Sequence, residues 1–127
     1  MTKLIAEIGW NHMGNLSTAK KMIRSAYQNG ADLVKTQIFD TKYLNKGPWD
    51  NDGRREIYNK AQLNEKKYKI LYEYSKNIGT KLFASVVNKQ GIDLVKKFQR
   101  NIIKIPSAHN RDYELIKYSM EIYQRTA

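Results

Sequence analysis

Residues 3–39, "KLIAEIGWNHMGNLSTAKKMIRSAYQNGADLVKTQIF", decide the fold. "KLIAEIG" (3–9) is a short apolar run closed by glycine and reads as a strand. In "NLSTAKKMIRSAYQNG" (15–30), Ala19, Met22, Ile23, Ala26 and Tyr27 recur on one helical face. Asn15 or Ser17 can cap the start of that helix, and Asn29-Gly30 stops it. "DLVKTQIF" (32–39) is rich in β-branched residues and reads as a second strand. Parallel strands need a crossover of about a dozen residues, and the intervening helix supplies it.

The alternation continues. "NEKKYKILYEYSKNIG" (64–79) carries Lys67, Ile70, Leu71, Tyr74 and Ile78 on one stripe, with Gly79 as terminator. "KLFASVV" (81–87) reads as a third strand, and Asn88 caps a helix with Ile92, Val95 and Phe98 inward. "NIIKIP" (101–106) reads as a fourth strand. "DYELIKYSMEIYQR" (112–125) reads as a fourth helix, capped by Asp112, with Leu115, Ile116, Met120 and Tyr123 inward. Residues 40–62 break the rhythm with Gly47-Pro48, Trp49 and "DNDG", all turn chemistry. A connection of that length in a compact domain is more often functional or mobile than a plain link. The fold class is therefore α/β: four βα units and a parallel sheet, either a small doubly wound sheet or half of a (β/α)₈ barrel. The Gly-rich phosphate fingerprint is missing after the first strand, which favours the half-barrel.

Composition sets outer limits. The chain has 127 residues, 41% hydrophobic and 28% charged, which suits one soluble globular domain. No apolar run approaches the roughly 18 residues of a spanning helix, and no leader is visible, so neither membrane nor secretion is expected. Cysteine is absent, which removes thiol chemistry and fits a cytoplasmic setting. The net charge is +11, but its basic residues are scattered over helices and loops: Lys20, Lys21 and Arg24; Arg54 and Arg55; Lys66, Lys67 and Lys69; Lys96, Lys97 and Arg100. A solvated surface accounts for most of that charge, and no nucleic-acid motif accompanies it.

Polar residues near the strand ends are the anomaly: Glu7, then Lys35 and Gln37, then Ser85, then Lys104 and Ser107. Ionisable groups rarely stay buried without partners, and ligands of α/β sheets and barrels gather at strand C-termini. One carboxylate, two lysines and hydroxyl donors at those ends describe a pocket for a small anion. The plainer alternative pairs Lys35 with Glu7 structurally and lets Lys104 reach water. Recurrence at successive strand ends favours the pocket.

The segments "AEIGWNHMG" (6–14), "GADLVKTQ" (30–37), "LFASVVN" (82–88) and "IKIPSAHN" (103–110) together resemble the sialic acid synthase (N-acetylneuraminate synthase-like) family. The resemblance implies half of an aldolase-type TIM barrel, with residues 1–127 its N-terminal part, lacking the second half and the C-terminal antifreeze-like domain. It implies condensation of phosphoenolpyruvate with an N-acylated amino sugar of the N-acetylmannosamine type. The product would be a nine-carbon 2-keto sugar acid, with release of phosphate. By the same resemblance, Lys35, Ser85, Lys104 and Ser107 would hold the phosphate and carboxylate. Glu7, with Asn11 and His12, would face the sugar and the reacting carbons, and Gln37 would join the binding set. The family's glutamate after the fourth strand is here His109, a histidine able to move protons near neutral pH. A whole family enzyme would use a divalent metal, Mn or Mg. Its histidine ligands would lie in the other half of the barrel, and no metal set is expected in this chain. Two readings follow: part of such an enzyme, working with a separate second-half chain, or a non-catalytic half-barrel that dimerises through unpaired strand edges and binds an anion.

Overall fold

The computed structural model describes residues 1–123. Its elements are β1 (Ile5–Gly9), α1 (Leu16–Gln28), β2 (Leu33–Ile38), α2 (Arg54–Ala61), α3 (Glu65–Ile78), β3 (Leu82–Val86), α4 (Lys89–Val95) and α5 (Tyr113–Ile122). Three short 3₁₀ turns lie at Thr41–Tyr43, Pro48–Asp50 and Ser107–His109. Gln124 and Arg125, assigned to the last helix from sequence, lie outside the described residues. The α/β class and parallel sheet hold: the order is β1-β2-β3, with both pairings parallel.

Asn15, Asn64, Asn88 and Asp112 cap α1, α3, α4 and α5, each side-chain oxygen accepting a backbone N–H of the first turn. All helices with a buried stripe pack on one side of the sheet. There Ile8, Val34, Ile38, Leu82, Ala84 and Val86 join Ala19, Ile23, Tyr68, Leu71, Ile92, Val95 and Leu115 in a single core cluster. Strand side chains alternate between faces, so the register places Glu7, Lys35, Gln37, Phe83 and Ser85 on the opposite face. This division sets the stage for chemistry: apolar packing on one side, charge on the other.

Three expectations change. The fourth segment is not a strand; it makes one parallel bridge, Ser85 with Lys104, through Val86 N–H to Lys104 O (3.0 Å) and Lys104 N–H to Ala84 O (3.2 Å). Among the described residues nothing pairs with its far side, so the ladder has no reason to extend. The long connection holds a real helix, α2, whose only buried residue is Ala61; a polar helix with so narrow a buried face leaves no apolar period to read. Helix phase also shifts at three places. Tyr27 and Met120 are exposed, α5 buries Leu115 and Ser119, and α3 buries Tyr68 and Ser75 beside Leu71.

Candidate active site

Register brings the polar residues together. Glu7 lies opposite Lys35, and the next inward position along β2, Gln37, lies opposite Ser85. The register of β1 slips between Glu7 and Gly9, a bulge that bends the strand just past the carboxylate. Lys35 is half-buried. Its Nζ pairs with Glu7 Oε2 and donates to Ser85 Oγ at 3.2 Å. Ser85 is itself buried and forms the bridge to Lys104. Burial, and then the nearby Lys104 charge, hold the Lys35 ammonium below its ordinary range. The Lys104 ammonium, exposed, donates to the carbonyl of Ile105 at 3.0 Å. A half-buried cation with a second cation beside it is short of negative charge. An anion with several oxygens would satisfy both, and a single carboxylate already sits on one of them.

The remaining residues divide. Gln37 is half-buried and lines a recess of about 230 Å³ with Trp10, Phe39, Leu44, Trp49, Tyr58 and Val87. Asn11 is exposed and turns its side-chain amide back on Ile8 O at 3.1 Å. Ser107 is exposed and opens the last 3₁₀ turn. His109 lies in a separate cavity of about 490 Å³, bordered by Tyr43, Trp49, Asn88 and Asp112, its Nδ1 at 3.9 Å from Asp112 Oδ2. A third cavity, about 420 Å³, runs between α2, α3 and α4 and touches none of the strand-end cations.

His12 stands apart from this group, contrary to the expectation that it faces a sugar. It is buried; Nδ1 accepts the Gly14 N–H at 2.9 Å, and Nε2 approaches Thr36 Oγ1, which donates to Gly9 O at 2.7 Å. Its nitrogens are spent holding the β1–α1 loop against β2. Burial lowers its pKa, the Gly9 carbonyl opposes that shift, and the Lys67 charge adds to it. Unfolded, the ring takes a proton near its ordinary value of about 6.5. As pH falls below that point the unfolded chain binds more protons than the folded one, and stability drops. The denaturation midpoint is therefore expected to be level above about pH 7 and to fall between about pH 6.5 and 5. His12→Asn, which keeps an acceptor for Gly14, is expected to flatten that fall in urea titrations at each pH; an unchanged slope would remove His12 as the cause.

Sequence reasoning missed the aromatic recess. Both tryptophans of the chain border it, one directly after β1 and one in the turn-rich connection. That placement was the available signal.

A model of the NeuB family matches residues 22–126. The chain belongs to the NeuB family. An N,N'-diacetyllegionaminic acid synthase of Campylobacter jejuni is 30% identical over 91% of this chain and 38% of its own length. An N-acetylneuraminate-9-phosphate synthase of Mus musculus is 26% identical over 90% of this chain and 34% of its own. The N-acetylneuraminic acid synthetase of Leptospira borgpetersenii, solved in complex with citrate, superposes with a TM-score of 0.82 at 25% identity, covering 93% of this chain and 40% of that one. The NeuB-family chain thus spans only a little over a third of the length of these two curated relatives. For the divalent metal of a whole family enzyme, the fit is poor: among the described residues no three His, Cys, Asp or Glu side chains stand close enough to hold an ion. No helix among the described residues is long and apolar enough to cross a membrane.

Proposed function

We propose that this chain carries the phosphoenolpyruvate-holding part of a sialic acid synthase-type site. The reaction joins phosphoenolpyruvate to an N-acylated amino sugar of the N-acetylmannosamine type. Carbon 3 of the enol forms a bond to the sugar's aldehyde carbon, and the aldehyde oxygen takes a proton. Carbon 2 gains the oxygen of a water, its bond to the bridging oxygen breaks, and inorganic phosphate leaves with that oxygen. A nine-carbon 2-keto sugar acid remains. The carrying observation is the Lys35 ammonium, half-buried, 3.2 Å from Ser85 Oγ and under the field of Lys104.

In this reading the two ammonium groups and the Ser85 and Ser107 hydroxyls bind the phosphate and carboxylate. Being fixed before the reaction, they neutralise charge as it shifts toward the leaving group without reorganising. Lys104 exchanges its bond to Ile105 O for a bond to the ligand. Glu7, already against Lys35, faces the reacting carbons and handles protons there, and Asn11 and Gln37 serve the sugar. Titrating the 127-residue chain with phosphoenolpyruvate tests this by isotope-edited NMR. Shifts are expected at Lys35, Ser85, Lys104 and Ser107; silence at all four would overturn the assignment.

A second reading rests on β1, an edge strand whose first residue, Ile5, is exposed together with Leu4 just before it. Such an edge suits pairing with a second copy or with a chain carrying the rest of a barrel. Light scattering tests self-pairing: a compact dimer supports it, and a monomer at high concentration rules it out. With a complementing chain, turnover is expected to rise from a level near zero.

A further inference from the structure

The basic residues of the chain divide by what neutralises them. Arg54 and Arg55 hold Asp52 and Asp50, Lys96 and Lys97 hold Asp93 and Glu65, and Lys67 is taken up by Gly14 O. Lys20, Lys21 and Arg24 of α1 hold no carboxylate among the described residues. No acid occurs anywhere in α1, and Glu73, beside Tyr74 in α3, pairs with none of the three. These cations border a cavity of about 370 Å³ between α1 and α3, completed by Ser17 and Tyr74. Ala19 and Ile23 carry α1 onto the core, and the basic stripe runs beside them on the outer side. The Lys35 cluster lies across the sheet, on the face the helices leave open. The two places short of negative charge are separate.

The cations are drawn together rather than apart. Lys20 Nζ lies 5.4 Å and Arg24 Cζ 5.8 Å from the centre of the Tyr74 ring. Arg24 Nε also donates to Tyr74 Oη at 2.9 Å, which fixes the guanidinium fork. Tyr74 is half-buried and packs against the core cluster, so the platform is firm. Like charges one turn apart on a helix repel, and a ring face at an exposed position attracts a cation only modestly. Among the described residues the terminal nitrogens of Arg24, both ammonium groups and the Ser17 hydroxyl donate to nothing. Unused donors converging on one cavity suit an anion with several oxygens.

Charge and spacing decide which anion. One phosphoryl group carries about −1.5 to −2 at neutral pH, short of three cations, and a second linked group supplies the rest. Lys20 and Arg24 start one helical turn apart, about 5–6 Å between Cβ atoms, so their heads span more than one phosphoryl group. The planar fork of Arg24 takes two oxygens of one group, and the lysines meet the other as point charges. We infer that Ser17, Lys20, Lys21, Arg24 and Tyr74 form a binding site for a diphosphate group, either the free anion or one carried by a nucleotide. The site stands independently of the synthase reading.

The experiment is isotope-edited NMR on the whole chain at fixed ionic strength, with inorganic pyrophosphate, orthophosphate and adenosine diphosphate as probes. Saturable shifts are expected at Ser17, Lys20, Lys21, Arg24 and the Tyr74 ring, with pyrophosphate at least about tenfold tighter than orthophosphate. Lys21→Gln keeps both contacts to Tyr74, and Arg24→Lys keeps the charge without the fork. Each is expected to weaken pyrophosphate about tenfold with no change in the unfolding midpoint, since both residues are exposed. Lys35→Met is expected to leave these shifts as they are. Tighter binding of adenosine diphosphate than of pyrophosphate assigns the group to a nucleotide; equal or weaker binding assigns it to the free anion. Orthophosphate binding as tightly as pyrophosphate, or shifts that climb without saturating, would overturn the site. So would full affinity in both variants. A response to duplex DNA or phosphatidylserine vesicles that pyrophosphate cannot displace would make α1 a general polyanion surface and overturn it too.

Discussion

Lys35→Met is expected to weaken phosphoenolpyruvate binding by about 1.5–3 kcal/mol, ten- to a hundredfold or more, while stability stays level or rises. The two halves of that result have one cause. Burial works against the Lys35 ammonium, and Lys104 adds to the effect. Methionine keeps the stem's length and fills the same space beside Ser85, without the cost of desolvating a charge. Glu7, the partner left behind, is well exposed and returns to water. Isothermal titration for the ligand and urea unfolding for the fold separate the effects. If Lys35 were there to support the fold, the same substitution would lower the unfolding midpoint and leave ligand affinity unchanged.

Gly14→Ala is expected to cost about 3 kcal/mol or more of stability, from backbone strain and overpacking together. Gly14 sits at φ +74°, and a Cβ there would lie 2.0 Å from the Lys60 carbonyl oxygen, a backbone atom with no rotamer to change. The same residue gives its N–H to His12 and its carbonyl to Lys67 Nζ at 3.0 Å, so shifting it loosens the loop, α2 and α3 together. Gly30→Ala is the matched control. It has φ +93° but open space around the added carbon, and is expected to cost only about 1–2 kcal/mol. Equal losses at the two sites in urea unfolding would show that conformation alone, and not the approach of Lys60, sets the requirement.

The half of the chain with strong periodicity was readable in advance. β1, β2 and β3 announce themselves as apolar runs, and Asn15, Asn88 and Asp112 mark three helix starts as caps. The convergence of Glu7, Lys35 and Ser85 was legible too, because strand ends in a parallel sheet have one destination. What was hidden had other causes. Gly53, the residue before α2, is in the left-handed region and offers no side-chain cap, so neither cap nor apolar stripe marks the helix. His12 falls in the same motif as Glu7, yet its burial depends on Gly14 and Thr36 and no spacing rule shows that. "NIIKIP" has the composition of a strand, but composition cannot supply a neighbour on its outer side.

That single bridge at Lys104 has a thermodynamic corollary. One of the two cations rides on a segment tied to the sheet by only two backbone hydrogen bonds, and the other is built into the central strand. Local opening around residues 101–106 and anion capture are then linked equilibria. A bound anion must slow amide hydrogen exchange at Val86 and Lys104, and any polypeptide that adds a strand outside this segment must, by reciprocity, tighten the grip on the anion.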